Sequence, residues 1–369
     1  MSRLLIFVSV FLLIANGCQT SCQPGPADQA NRLLEDQFNH EPRIRIGAYP
    51  SPTLVTHFLD PNHLGSHQYE FNLSEKNGIV YTCKAGHLDI YHVREAADWT
   101  AFLAAITFKH LIKNDVEFSF KLKEGSICLV KLTYPQVWEQ LPPEDKNHIA
   151  YNISIGLGQY FAYTAGTWHE IVTWYGYKSR GFYPEFPSAF SWEDNFSNLL
   201  GSYIGVRGLQ DTEHAYDEAV TLALNKELEK LGAQPHEVAR RAAESMKGLW
   251  FSGKLPGLVD MKKRNFDIGV DDGFVTPWIV PDICECEGIQ AQPYRVPILD
   301  CLSKYGFSMK FDIEPREWEK GRILSIIYPD KKTRGKYLEP DKHFAAIVSH
   351  IIKEAEKEYG PYVAYSSIN

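Results

Sequence analysis

The sequence has no surplus of positive charge: 38 Lys and Arg stand against 46 Asp and Glu, a net charge of −8. Binding through phosphates needs a basic surface, so this balance argues against a nucleic-acid partner. The compact run Lys262-Lys263-Arg264 is too short to reverse that and reads as a solvated loop. Also missing are a G-x-S-x-G elbow, a Walker loop, a G-x-G-x-x-G after a strand and a complete H-E-x-x-H. Their absence removes the motif-based routes to a serine hydrolase, a P-loop NTPase, a dinucleotide enzyme and a helix-borne zinc protease. There is no internal repeat, and no low-complexity tract beyond a polar stretch near the N-terminus.

What is present is ordinary globular composition, 44% hydrophobic and 23% charged over 369 residues, enough for one large domain or two modest ones. Residues 1–17, MSRLLIFVSVFLLIANG, place Arg3 before an apolar stretch from Leu4 to Ile14, the pattern of a signal peptide and too short to span a bilayer. Cys18 follows small residues Ala15 and Gly17, which suits a lipobox or ordinary signal-peptidase cleavage at the same bond. Residues 18–45 then read as a polar tether, and membrane attachment through a lipid on Cys18 is expected. The other cysteines, 22, 83, 128, 284, 286 and 301, are even in number, so an exported chain could pair them. A bridge from Cys284 or Cys286 to Cys301 is the simplest expectation, with a zinc thiolate site as the alternative.

The pattern predicts an α+β protein, with a helix-rich core at 46–254, a β-hairpin and short peripheral strands. Residues 255–369 form a Pro/Gly-rich segment followed by a strand-helix region packed on that core. NGIVYTC reads as a strand, KAG as a break, and HLDIYHVREAADWTAFLAAITFKHLIKN as a long helix. VEFSFKLKEGSICLVKLTY reads as a hairpin about Glu-Gly. Residues 149–175 read as a buried helix, in which Gly156, Gly158, Ala162, Ala165 and Gly166 invite close packing and also a break. Helices are expected over 191–209, 214–232, 235–250 and 340–359. FVTPWIV, GFSMKFDI and GRILSIIY are strand candidates.

Candidate chemistry gathers at predicted helix starts. Asp89 and His92, at i and i+3, can share a metal, or the acid can orient the imidazole as a base; helix-dipole stabilisation is the structural reading of Asp89. Arg94 and Asp98 read as a surface ion pair, and His63-x-x-x-His67 as a surface loop rather than a ligand pair. His169-Glu170 opens like a zinc helix, but Thr173 replaces the second histidine and Thr167 with Glu170 fits a capping box. Ser191 and Asp194 fit another box, which leaves Glu193 and His169 without a capping role. Trp168, Trp174 and Trp192 could wall a cleft or anchor the core. Cys83 with His92 and Asp89 could form a thiol nucleophile site, although a disulfide or burial suits it better.

The blocks GIVYTCKAGHLDIYHVREAADWT, TWHEIVTWYG, SAFSWEDNFSNLLG and KKRNFDIGVDDG resemble a family of uncharacterised bacterial exported proteins and lipoproteins over about residues 45–300. The resemblance implies envelope localisation and shared Asp89, His92, Arg94, His169, Glu170, Glu193 and Asp194, and it brings no activity. His87 stands where an apolar residue is expected. The reading is an envelope lipoprotein and metal-dependent hydrolase acting on an envelope polymer or peptide. Asp89, His92, His169 and Asp194 hold Zn²⁺ or another divalent metal, Glu170 is the general base, and Glu193 is catalytic or a further ligand. The rival is a non-catalytic binding or scaffolding lipoprotein in which these residues cap helices.

Overall fold

Gly86 sits at φ 65°, and a Cβ there would lie 2.0 Å from the carbonyl oxygen of Trp278, so only glycine fits. In this computed structural model, which describes residues 30–43, 45, 57–70, 73–179, 183–253 and 259–361, that glycine closes a hairpin. Strand β1 (Ile79–Thr82) pairs antiparallel with β2 (Gly86–Asp89), so KAG is a turn rather than the entry to a helix. Helix α1 (Ile90–Ile112) starts three residues later than the sequence suggests, with Asp89 as its N-cap accepting from the Tyr91 amide at 2.8 Å.

Helix α1 is apolar on most sides and buried along most of its length, as a central helix must be. The expected hairpin follows as β3 (Glu117–Lys121) and β4 (Ile127–Thr133). Helix α2 (Pro143–Trp174) is continuous for 32 residues and does not break at Gly166. Its glycines serve packing instead: a Cβ on Gly158 would lie 2.6 Å from the Thr100 carbonyl oxygen. Helix α3 (Asp194–Gln210) reaches α1 the same way, since a Cβ on Gly201 would meet the Val93 oxygen at 2.3 Å and one on Gly205 the Ala97 oxygen at 2.5 Å. Two helices thus lie backbone-close against α1 and bring their side chains to its first turns.

Helix α4 (Tyr216–Leu231) ends at Gly232 in the left-handed conformation. Strand β5 (Ala233–Gln234) then pairs with β1, and α5 (His236–Met246) packs over it. Strand β6 (Ser308–Glu314) joins the β3–β4 hairpin in the order β6-β4-β3. Phe120 and Phe311 from this sheet meet Phe161 of α2 at ring separations of 5.3 and 4.8 Å. GRILSIIY is not a strand but helix α6 (Lys320–Ile327), burying Ile323 and Leu324; so short an apolar run carries no decisive period. In FVTPWIV only Phe274–Val275 is strand, and α7 (Pro340–Tyr359) matches expectation.

Among the described residues a disulfide joins Cys83 to Cys286. This overturns the bridge to Cys301, the zinc thiolate pair and Cys83 as a nucleophile. Cys301 instead fills space over Gly156, whose Cβ would lie 2.6 Å from its sulfur. Cys22, Cys18, the signal stretch and residues 18–29 of the expected tether fall outside the described residues, whereas Leu33 and Phe38 from its second half are buried in the core. Among the described residues no helix is long and apolar enough to cross a membrane.

Candidate metal centre

Asp89 divides its carboxylate: Oδ1 caps α1, while Oδ2 takes a 2.8 Å hydrogen bond from Nδ1 of His92 in the first helical turn. Asp89 therefore does more than answer the helix dipole: one oxygen caps α1 and the other pairs with His92. Its own amide donates to Ser197 Oγ of α3 at 3.0 Å, which pins that helix to the hairpin. Asp194, at the start of α3, brings Oδ1 to 3.4 Å from the same Nδ1. One ligand atom from each of Asp89, His92 and Asp194 lies within 4.8 Å of the others, a group that could hold a metal ion.

The neighbouring residue sharpens this. Glu193 is 1% exposed, and neither of its carboxyl oxygens has a hydrogen-bond partner. Burial, and then the charge of Asp194, push its pKa well above the usual carboxylate range, against a weaker opposing pull from the nearby Ser191 hydroxyl, which pairs with Asp194. Burial also lifts Asp194 to about 8, opposed by His92 and reinforced by Glu170 and Asp89. His92 responds in the other sense: burial would lower it, but Asp194 and Asp89 hold it up to about 10. The centre has more acid than base.

Glu170 and His169 sit differently from expectation. Glu170 is buried near the C-terminal end of α2, and its Oε2 accepts the Phe190 amide at 2.6 Å, bracing a loop residue at φ 54°. Thr167 caps nothing, because its hydroxyl donates to the Tyr163 carbonyl one turn back within α2. The hydroxyl of Ser191 meets Asp194 Oδ2 at 3.0 Å, and α3 begins without a side-chain cap. His169 lies outside the metal group; its Nδ1 is 2.7 Å from Glu124 Oε1 and its Nε2 is 3.5 Å from Glu185. Against burial and the charge of Lys123, those two acids hold its pKa above the ordinary value.

His92 and His169 nevertheless face one small cavity of about 30 Å³, lined also by Glu95, Trp99, Lys123, Glu124 and Asn198. Burial opposes ionisation of Glu95, yet Lys123, 2.9 Å away, and His92 hold its pKa down to about 2. Sequence reasoning missed this wall. Glu95 and Trp99 follow His92 by three and seven residues and so share its helical face, a signal that was available. Lys123 and Glu124 sit in the hairpin turn, and no spacing rule links that turn to α1. The three tryptophans named from sequence are core anchors: Trp168 is 0% exposed with Nε1 on Ser126 Oγ, Trp174 bonds Glu354, and Trp192 packs on Trp250. His87 is buried beside Trp192, bonded to the Ala239 carbonyl and pushed down to about 4 by burial.

A second buried cluster occupies α1 two turns further on. Asp98 is not a surface partner of Arg94: its Oδ2 is 2.5 Å from Arg45 and its Oδ1 2.9 Å from His67 Nε2. Arg45 and Arg43 also reach Glu75, at 3.2 and 2.5 Å. Arg94 turns inward and donates to the carbonyls of Leu64, Gly65 and Lys76. His67 is therefore buried, not in a surface loop, while His63 of the same H-x-x-x-H is exposed. Asp60, His236 and Glu237 form another group that could hold an ion; there Asp60 accepts the His236 amide at 2.9 Å at the start of α5.

No curated protein and no solved structure matches the chain. Residues 38–276, which contain both buried clusters and the cavity, match the family model described as "Protein of unknown function (DUF4056)", and the chain belongs to that family.

Proposed function

We propose that the protein is a metal-dependent hydrolase of the cell envelope. Asp89, His92 and Asp194 hold a divalent ion, Zn²⁺ by its preference for imidazole and carboxylate ligands, and Glu193 is the further ligand or the proton acceptor. Bound there, the ion supplies a water acidified toward neutrality. The observation that carries the reading is Glu193, a buried acid with both oxygens unpartnered beside two more carboxylates. Burying such a group without compensation costs several kcal/mol, roughly 2–7 for a polar group and more for a charge, and a divalent cation compensates it. Glu170 gives up the role of general base, because its oxygen is committed to Phe190.

The cavity next to His92 receives the substrate, and Lys123, Asn198 and His169 offer it donors above the apolar wall of Trp99 and Leu122. An envelope polymer or peptide suits a chain whose N-terminal pattern predicts export and lipidation at Cys18. The test is metal content by mass spectrometry after reconstitution with Zn²⁺. Wild type and His169→Ala are expected to retain one ion per chain, and His92→Ala and Asp194→Asn to lose it. A wild type that retains no Zn²⁺, Mn²⁺ or Mg²⁺ overturns the proposal. Cys18→Ala is expected to move the protein from the membrane to the soluble fraction.

A further inference from the structure

Seven of the eight tryptophans are at most 9% exposed, whereas Trp318 is 99% exposed. It stands between β6 and α6, in a stretch whose charge is opposite to that of the chain. From 316 to 336 there are seven basic residues and three acidic ones, in a protein of net charge −8. Arg316 and Arg322 are used in ion pairs with Glu314 and Glu354. Lys320, Lys331, Lys332 and Lys336 are exposed and make no ion pair among the described residues. Arg334 ties the basic loop to the base of α6, donating to the carbonyls of Tyr328 at 3.2 Å and Gly321 at 3.3 Å, three residues from Trp318.

Trp318 lies between Glu317, buried on Ser126, and the half-buried Glu319, and a fully exposed indole on an edge that carries unpaired lysines has the composition of a bilayer-interface anchor. The ring is apolar with one polar N–H and settles at headgroup level, while lysines reach anionic lipid over apolar stems. We propose that this edge, Trp318 with Lys320 and the loop 331–336, lies against an anionic phospholipid surface. The occupant follows from charge: the rest of the chain is acidic and repelled by such a surface, so the basic edge is the face that turns toward it. The inference is independent of the metal centre, and it holds whether or not a lipid at Cys18 supplies the tether.

The test uses the full chain with vesicles of brominated phosphatidylglycerol or brominated phosphatidylcholine, read by tryptophan fluorescence. Bromine quenches only indoles in contact with the acyl region, and the other seven are shielded inside the fold. Quenching is expected on phosphatidylglycerol and not on phosphatidylcholine. It should disappear in Trp318→Phe, in Lys331→Glu/Lys332→Glu and at high salt, which screens exposed charges. These are exposed positions, so unchanged circular dichroism is expected to accompany the loss. Equal quenching of parent and Trp318→Phe overturns the proposal, as does equal quenching on both lipids. Salt-sensitive capture of single-stranded nucleic acid or of a protein at Trp318, without lipid quenching, also overturns it.

Discussion

Two buried clusters of histidine and carboxylate lie along the same helix, and they are built on opposite principles. At Asp98, guanidinium groups of Arg43 and Arg45 answer the carboxylates of Asp98 and Glu75, with His67 bridging them. Burial would raise both acids, but Arg45 and His67 outweigh it and hold them below the usual carboxylate range. At His92, one imidazole answers Asp89, Asp194 and Glu193, and the acids that cannot be answered are driven upward. Burial is common to both, so burial does not mark a site. The difference is charge balance: opposite charges answer one another at Asp98, whereas at His92 the carboxylates outnumber the one imidazole, the imbalance expected of a binding centre.

The largest effect should come from breaking the balanced cluster. Asp98→Ala leaves Arg45 buried without its closest acid and is expected to cost about 3–5 kcal/mol in urea unfolding. In chelator, Asp194→Asn is expected to gain about 1 kcal/mol or more, because it removes an acid that folding must protonate. Equal losses in the two variants would erase the distinction. Next, saturating Zn²⁺ at about one hundred times its Kd should stabilise wild type by about 2.7 kcal/mol. The same addition should leave Asp194→Asn unmoved, and should raise Asp98→Ala as it raises wild type.

Gly201→Ala separates the clusters without touching a titratable group. Its Cβ would collide with the Val93 carbonyl, pushing α3 and Asp194 from α1, at a cost of about 1–3 kcal/mol and with loss of bound metal. The smallest effect is on acid stability. Asp98 and Glu75 have depressed folded pKa values, so their contribution is present above the unfolded values near ~4 and is lost as pH falls through the folded ones. Asp98→Asn should flatten the fall in melting temperature below about pH 4. An unchanged acid limb would mean that the balanced cluster contributes nothing through its charge.

The long helices were legible because their apolar period is sustained, and the hairpin about Glu124-Gly125 because alternation and turn residues agree. Asp89 with His92 was legible for a local reason: three residues separate them. What stayed hidden came from other parts of the chain. The spacing of Arg94 and Asp98 fits a surface pair, and nothing local reports that residues 45, 67 and 75 cover them. Thr167 and Glu170 satisfy a capping pattern, but α2 passes straight through it, because burial against α1 and the sheet outweighs three glycines. GRILSIIY went to helix because eight residues hold too few periods to choose.

The bridge between Cys83 and Cys286 spans 203 residues of sequence. Asp89, His92, Asp98, His169 and Asp194 all lie inside that covalent ring, with the cavity between them. A protease that cuts the backbone anywhere within it makes two chains that stay joined until a thiol is added. In an oxidising compartment, a single nick therefore leaves Asp89, His92 and Asp194 on one covalent molecule.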